Sequence, residues 1–331
     1  MIIWLAFIAC TATILFTGTQ LSIHGDVLAE KTGLGGTWVG VILMASVTSL
    51  PELLTGVSSV VLFDLPNIAV GDVLGSCMFN LLILSMLDLR NPEPLSTRIH
   101  QGHVISAGFG IVMLGLVLFG MEAGGRLPAL GWVGIGSLLA LAVYALAMKV
   151  IFVAEQTRMA KISREIAEEL RYRDVSFRRA VMLYALNAVV LVAAAIALPE
   201  LGAEIAAMTG LGQSFVGTFF VAVATSLPEI AVSAAALRIG ALDMAASNLF
   251  GSNLFNVAIL GFDDVLYTKG RLLAAVTPQH VVSATAAMIM SAVAIIGLTF
   301  RASRKPYRVS WDSMGMMAVY ALALIVLLRL R

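Results

Sequence analysis

The sequence predicts an all-α polytopic membrane protein of ten transmembrane helices, arranged as two inverted five-helix repeats. Three observations predict it. The 331 residues are 60% hydrophobic and only 12% charged, about half the charged share of an ordinary soluble chain. Apolar runs near or above the ~18 residues that cross a bilayer recur from end to end. The hexapeptide VTSLPE at 47–52 returns as ATSLPE at 224–229.

Ten segments meet the length and apolarity of a span: 3–22, 36–63, 68–88, 104–121, 128–153, 180–198, 213–237, 244–260, 276–300 and 312–328. None alternates, and only backbone paired within a helix or a closed barrel crosses lipid, so each is read as a helix. The first, within MIIWLAFIACTATILFTGTQLS, lacks a basic leading region and outruns a signal-peptide core, so it is a span and not a leader. Segment 36–63 holds 28 residues. A straight helix of that length measures about 42 Å against a core of about 30 Å, so it bends or breaks, and Pro51 is the place. Residues 154–179 form the sole sizeable polar segment. The pairs Glu155/Arg158, Lys161/Glu165 and Arg164/Glu168 are spaced for a solvated connecting helix, too short to be a regulatory domain. Cys10 and Cys77 lie in apolar segments and read as packing residues.

Orientation follows from the basic residues of the connections. Fifteen Lys and Arg fall on the side of 154–179: Lys31, Arg90, Arg98, seven in 154–179, Arg238 and four in 301–308. Five fall on the other side: Arg126, Lys269, Arg271, Arg329 and Arg331. Segment 154–179 is therefore cytoplasmic and both termini are extracytoplasmic. The net charge of +1 comes with no basic stripe, so nucleic acid is not an expected partner.

The duplication extends well beyond the hexapeptide. Residues 32–57 and 209–234 are identical at twelve of 26 positions, and GSCMFNLLIL (75–84) matches GSNLFNVAIL (251–260) at six of ten. A unit used twice is implied. The expected organisation is a first five-helix repeat at 1–153, with its motif at 32–84, the connection at 154–179, and a second repeat at 180–331, with its motif at 209–260. Five is odd, so the second copy is inverted, in agreement with the charge count. Inverted repeats with interrupted helices at matching positions are the pattern of secondary transporters, whose site lies at the midplane between the repeats.

The motif supplies oxygen in an apolar setting. Pro51 frees the carbonyl of Val47, and Pro228 that of Ala224. Thr48 and Glu52 share a helix face, as do Thr225 and Glu229; on the following helices Ser76 and Asn80, and Ser252 and Asn256, are likewise four apart. Carboxylate, hydroxyl, amide and carbonyl oxygens suit hard cations such as Ca²⁺ or Na⁺. Glu52 and Glu229 are read as the only acids deep in the membrane, where a carboxylate costs at least ~2.5 kcal/mol and marks function. Asp26, Glu30, Asp64, Asp88, Glu200, Glu204, Asp263 and Asp264 are read as lying near helix ends or in connections. Asp72 and Asn248 are read as helix caps, and Gly71, Gly75, Ser247 and Gly251 as close-packing positions.

The paired TSLPE, each followed by GS-x-x-F-N, resembles the alpha repeats of the calcium/cation antiporter superfamily, and most closely its prokaryotic sodium/calcium exchangers. The resemblance implies that Glu52 and Glu229 hold Ca²⁺ at the centre of clustered ion sites. It implies that Thr48, Ser49, Thr225, Ser226, Ser76 and Ser252 help hold Na⁺ or Ca²⁺, with the carbonyls of Ala45 and Ala222. It also implies that the first and sixth helices slide past a rigid core. This sequence departs from the family pattern at Asn256, where sodium/calcium members often carry aspartate, at Cys77, where asparagine is usual, and at Val47, where glycine is common.

The expected function is Ca²⁺/Na⁺ antiport by alternating access in a prokaryotic plasma (inner) membrane. The alternative is a divalent cation/proton (Ca²⁺/H⁺) exchanger on the same scaffold. A channel fits inverted repeats around a closed site less well. A membrane enzyme would need a nucleophile, metal triad or cofactor motif, and the sequence offers none. No cofactor is expected; the partners are the ions and the lipid bilayer, and the expected state is a monomer.

Overall fold

The computed structural model describes residues 2–31, 46–123, 126, 128–162, 176–238, 240–302 and 304–330. Expectations for 32–45 (the start of segment 36–63, of the first motif, and Ala45) and for 163–175 lie outside the described residues. So do the side chains of Asp26, Glu30, Lys31 and 155–162.

The first half comprises α1 (Ile2–Lys31), α2 (Leu50–Ser58) continuing into a π-turn at Ser59–Phe63, α3 (Pro66–Leu89), the short α4 (Leu95–Arg98) and α5 (His103–Ala123). A hairpin, β1 (Ala129–Leu130) and β2 (Val133–Gly134), leads into α6 (Ile135–Ile162). The second half opens with α7 (Phe177–Thr209). Next come α8 (Gln213–Val216), a π-turn at Gly217–Val221, α9 (Ala222–Thr225) and α10 (Leu227–Arg238). It closes with α11 (Leu242–Leu266), the short α12 (Leu272–Ala275), α13 (His280–Phe300) and α14 (Trp311–Arg329). Among the described residues eight helices are long and apolar enough to span a bilayer. The pair 213–225 and 227–238, bent by 45°, makes a ninth, and Leu50–Phe63 is a shorter apolar piece.

The centre of the bundle is α3 and α11. Their apolar windows are 94% and 72% buried, against 22% or less for α1, α6 and α7, which face outward. Helices α3 and α11 pack on each other, α5 packs on α13, and α1 lies along α7. The two halves repeat in detail. Asp88, near the end of α3, accepts from the N–H of Leu95 at 2.8 Å, and Asp264, near the end of α11, accepts from that of Leu272 at 2.6 Å. These two buried acids tie down α4 and α12, each at the start of its short helix.

Three boundaries differ from the sequence expectation. Residues 129–134 form a hairpin instead of the first turns of a helix, because Gly131 takes φ 65° in a two-residue turn. Helix α1 runs to Lys31, nine residues beyond expectation. Helix α7 continues through Pro199 to Thr209. The carbonyl that Pro199 leaves without a partner belongs to Ala195, four residues back, and the hydroxyl of Thr55 on α2 lies 3.4 Å from it. Glu200 and Glu204 thus sit on the last three turns of α7, near its end as expected, both exposed.

Candidate cation site

Both TSLPE motifs interrupt their helix at the serine. Ser49 and Ser226 adopt φ/ψ of −88°/12° and −86°/9°, between the helix before and the helix that begins at Leu50 or Leu227. Pro51 and Pro228 stand at the second position of the new helix, where a missing N–H costs nothing. Helices α2 and α10 then carry Glu52 and Glu229 in their first turns, fully buried. An acid in a first turn also meets the favourable end of the helix dipole.

The serines cross between the halves. Ser49 donates to Glu229 Oε1 at 3.2 Å, and Ser226 donates to Glu52 Oε1 at 2.9 Å. Around Glu52 the network continues through Ser226 to Ser76 at 2.8 Å, and from Ser76 to Thr225 at 3.4 Å and to the Ala222 carbonyl at 3.5 Å. Around Glu229, Ser252 lies 3.4 Å from Oε1, Thr48 lies 3.3 Å from Ser252, and Thr48 reaches Asn248 Oδ1 at 3.4 Å. Asn80 donates to Asn253 Oδ1 at 3.0 Å, and Asn253 donates to the Cys77 carbonyl at 3.1 Å. Asn256 is buried, with neither amide atom hydrogen-bonded. Apart from Ala45, the residues expected at the site are all described and all buried. Hydrogen bonds join them into two networks, one around Glu52 and one around Glu229; Asn80 pairs with Asn253 outside both, and Asn256 joins neither.

Two residues were misjudged or missed. Asp72 is not a helix cap: it is fully buried, and Thr225 Oγ1 lies 2.8 Å from its Oδ1. Glu52 and Glu229 are therefore not the only deep acids. The signal was present in the sequence, since Asp72, Ser76 and Asn80 follow at intervals of four on one face of α3. Asn253 was noted in the motif without a role, and here it bridges α11 to α3. Asp263 lies near the end of α11, as expected, and is fully buried there. The close-packing reading of Gly75 holds: a Cβ there would stand 2.2 Å from the Thr218 carbonyl in the π-turn.

Among the described residues, Glu52 Oε2, Glu229 Oε2, Asp72 Oδ2, Asn80 Oδ1 and both Asn256 amide atoms are buried without a hydrogen-bond partner. Each such atom costs about 1–3 kcal/mol, and more when charged. The free oxygens among these atoms, one on each of Glu52, Glu229 and Asp72 and the amide oxygens of Asn80 and Asn256, call for a cation. No three His, Cys, Asp or Glu among the described residues converge tightly enough to chelate a metal unaided. The serine, threonine and amide oxygens must complete any coordination shell.

A family model for sodium/calcium exchanger proteins matches residues 2–150 and 179–329. The chain belongs to this family. It is thus a member of the calcium/cation antiporter superfamily, a group of ion transporters. The inner membrane protein YrbG of Escherichia coli is 26% identical over 78% of either chain. The sodium/calcium exchanger MaX1 of Methanosarcina acetivorans is 32% identical over 123 residues, 37% of this chain and 33% of that one. The crystal structure of an H⁺/Ca²⁺ exchanger CAX superposes with a TM-score of 0.71 at 10% identity, over 99% of this chain and 86% of that one. The sodium-calcium exchanger NCX_Mj superposes with a TM-score of 0.63 at 20% identity, over 98% of both. At these identities the superpositions establish the shared fold.

Proposed function

We propose that this antiporter exchanges Ca²⁺ for Na⁺, binding them alternately between the two networks centred on Glu52 and Glu229. The observation that carries the reading is the crossed pairing of Ser49 with Glu229 and Ser226 with Glu52, which leaves one free carboxylate oxygen on each glutamate. Two anionic oxygens suit a divalent ion, and the surrounding hydroxyls and carbonyls suit Na⁺ once Ca²⁺ leaves. Likeness to MaX1 supports sodium as the counter-ion. One observation favours the second reading, proton coupling. Asn256 stands where sodium/calcium members often carry an acid, and both of its amide atoms lack partners.

Thr48, Ser76, Asn80, Thr225, Ser252, Asn256 and the Ala222 carbonyl are assigned to the ligand set with them, and the Ala45 carbonyl by its place in the duplicated motif alone. One chain supplies both networks, so a monomer suffices. The distribution of Lys and Arg supports extracytoplasmic termini, and likeness to an inner membrane protein supports a prokaryotic inner membrane. The deciding experiment is ⁴⁵Ca²⁺ uptake into proteoliposomes under an imposed Na⁺ gradient, an imposed pH gradient, or neither. Uptake driven by Na⁺ alone upholds the reading. Uptake driven by the pH gradient alone replaces it with Ca²⁺/H⁺ exchange.

A further inference from the structure

The two halves of the site are built alike and charged differently. Around Glu52 stand Ser226, Ser76, Thr225 and Asp72; around Glu229 stand Ser49, Ser252, Thr48 and Asn248. Each residue of the first set corresponds to one of the second through the internal duplication. The single chemical difference is Asp72 against Asn248. Each faces the matching threonine of the other half, Thr225 at 2.8 Å and Thr48 at 3.4 Å. The first half-site therefore holds two carboxylates and the second holds one.

We propose that Asp72 is a third anionic ligand of the transported ions and binds a monovalent cation that Glu52 and Glu229 alone do not hold. The inference rests on the exchanger reading above. Asp72 is fully buried, and its Oδ2 has no hydrogen-bond partner. No ion pair among the described residues involves Asp72, Glu52 or Glu229. Three ionised acids give the empty site a charge near −3, which is not sustained in a low-dielectric interior. One Ca²⁺ leaves one negative charge over, and a monovalent cation at Asp72 removes it. Three monovalent cations balance the site in the other half of the cycle. The acid that is missing at Asn256 is thus supplied from the opposite repeat, one face of α3 bearing Asp72, Ser76 and Asn80 together.

The internal duplication also supplies the isosteric control. Asn248 shows that an amide fits beside the matching threonine, so Asp72→Asn removes a charge with little change of shape. The full chain in detergent is titrated with Na⁺ and with Ca²⁺, and charge moved per Ca²⁺ is measured in proteoliposomes from the reversal potential. Asp72→Asn should lose one bound Na⁺, both in Na⁺ alone and in the Ca²⁺-loaded state, while the charge moved per Ca²⁺ stays unchanged, because both halves of the cycle lose the same monovalent cation. Its Na⁺ midpoint should weaken about tenfold or more and its Ca²⁺ midpoint less, as expected for one lost charge at an effective dielectric near ~20. The exchange Asp72→Asn with Asn248→Asp should restore the wild-type ion count, and Asn248→Asp alone should raise it by one. A wild-type Na⁺ count in Asp72→Asn would overturn the proposal. If that variant does not fold, an unchanged count in Asn248→Asp overturns it. Wild-type uptake driven only by a pH gradient would instead overturn the sodium reading; the present proposal is then decided by the protonated-carboxyl infrared band of the Ca²⁺-loaded chain, which Asp72→Asn should remove and whose persistence in that variant would overturn it.

Discussion

Ser226 of the second repeat donates its hydroxyl to Glu52 of the first at 2.9 Å, leaving the other carboxylate oxygen of Glu52 free. Glutamine at position 52 keeps an oxygen for Ser226 and loses the anionic oxygen that meets the ion. Glu52→Gln and Glu229→Gln should therefore fold normally and lose Ca²⁺ transport by a factor of at least about 100, the order expected from removing one buried charge–charge contact. Gradient-driven ⁴⁵Ca²⁺ flux is the measurement. Robust exchange in the double variant would remove the site assignment.

Threonine hydroxyls matter most to the ion with the smaller charge. Thr48→Val and Thr225→Val keep side-chain shape and delete one neutral oxygen each. Na⁺ binding should weaken about tenfold, and Ca²⁺ binding clearly less, since the divalent ion is held chiefly by the carboxylates. Equal losses in paired titrations would show that these hydroxyls are not monovalent-ion ligands.

Protons compete with Ca²⁺ for the same free carboxylate oxygens. Lowering the pH should weaken Ca²⁺ binding to the wild type, with a shallower dependence in Glu229→Gln, which retains fewer titrating groups. Ca²⁺ titrations between pH 8 and pH 5 test the slope; a flat profile would contradict carboxylate ligation.

Asp88 makes the opposite case, a buried acid with every oxygen occupied. It accepts from Leu95 N–H at 2.8 Å and from Ser310 N–H and Oγ at 2.7 and 2.9 Å, and pairs with Lys305 Nζ at 3.0 Å. Lys305 also donates to the Asp88 and Asn91 carbonyls. Asp88→Asn strands a buried ammonium and should lower stability by about 3–5 kcal/mol. Thermal unfolding should register that loss, while flux per folded molecule should stay at the wild-type value.

Gly18 on α1 faces the motif proline of the second half. A Cβ at Gly18 would meet Pro228 Cγ at 2.5 Å. If α1 slides past the motif during transport, Gly18→Val should slow turnover while leaving Ca²⁺ affinity within about threefold, a split between rate and binding. Unchanged turnover in a folded variant would argue against motion at this contact.

Much of this was legible in the residues. Glu52 and Glu229 declare themselves because a carboxylate beside a proline in an apolar run is costly, and the chain carries it twice. The crossed serine bonds were not legible, since periodicity says which face Ser49 shares but not which helix it meets. Asp72 was misread because it stands seven residues into α3, close enough to the start of its apolar run to pass for a cap; its spacing to Ser76 and Asn80 was the better guide. The segment drawn as 180–198 ends before Pro199, because sequence shows the broken hydrogen bond but not Thr55, which lies 140 residues from Ala195 and meets its freed carbonyl. The hairpin at 129–134 hid inside an apolar run because a two-residue turn at Gly131 needs no polar residues.

The crossed serines also bear on ancestry. The shortest hydroxyl contact of each glutamate comes from the other repeat, Ser226 to Glu52 at 2.9 Å and Ser49 to Glu229 at 3.2 Å, so a lone repeat carries a glutamate without that serine. Before the two units were fused, a working site would have required two copies of the ancestral chain lying antiparallel in one membrane. The modern chain should retain that logic: residues 1–153 and 180–331, co-expressed as separate polypeptides, should reassemble a cation-binding unit that neither forms alone.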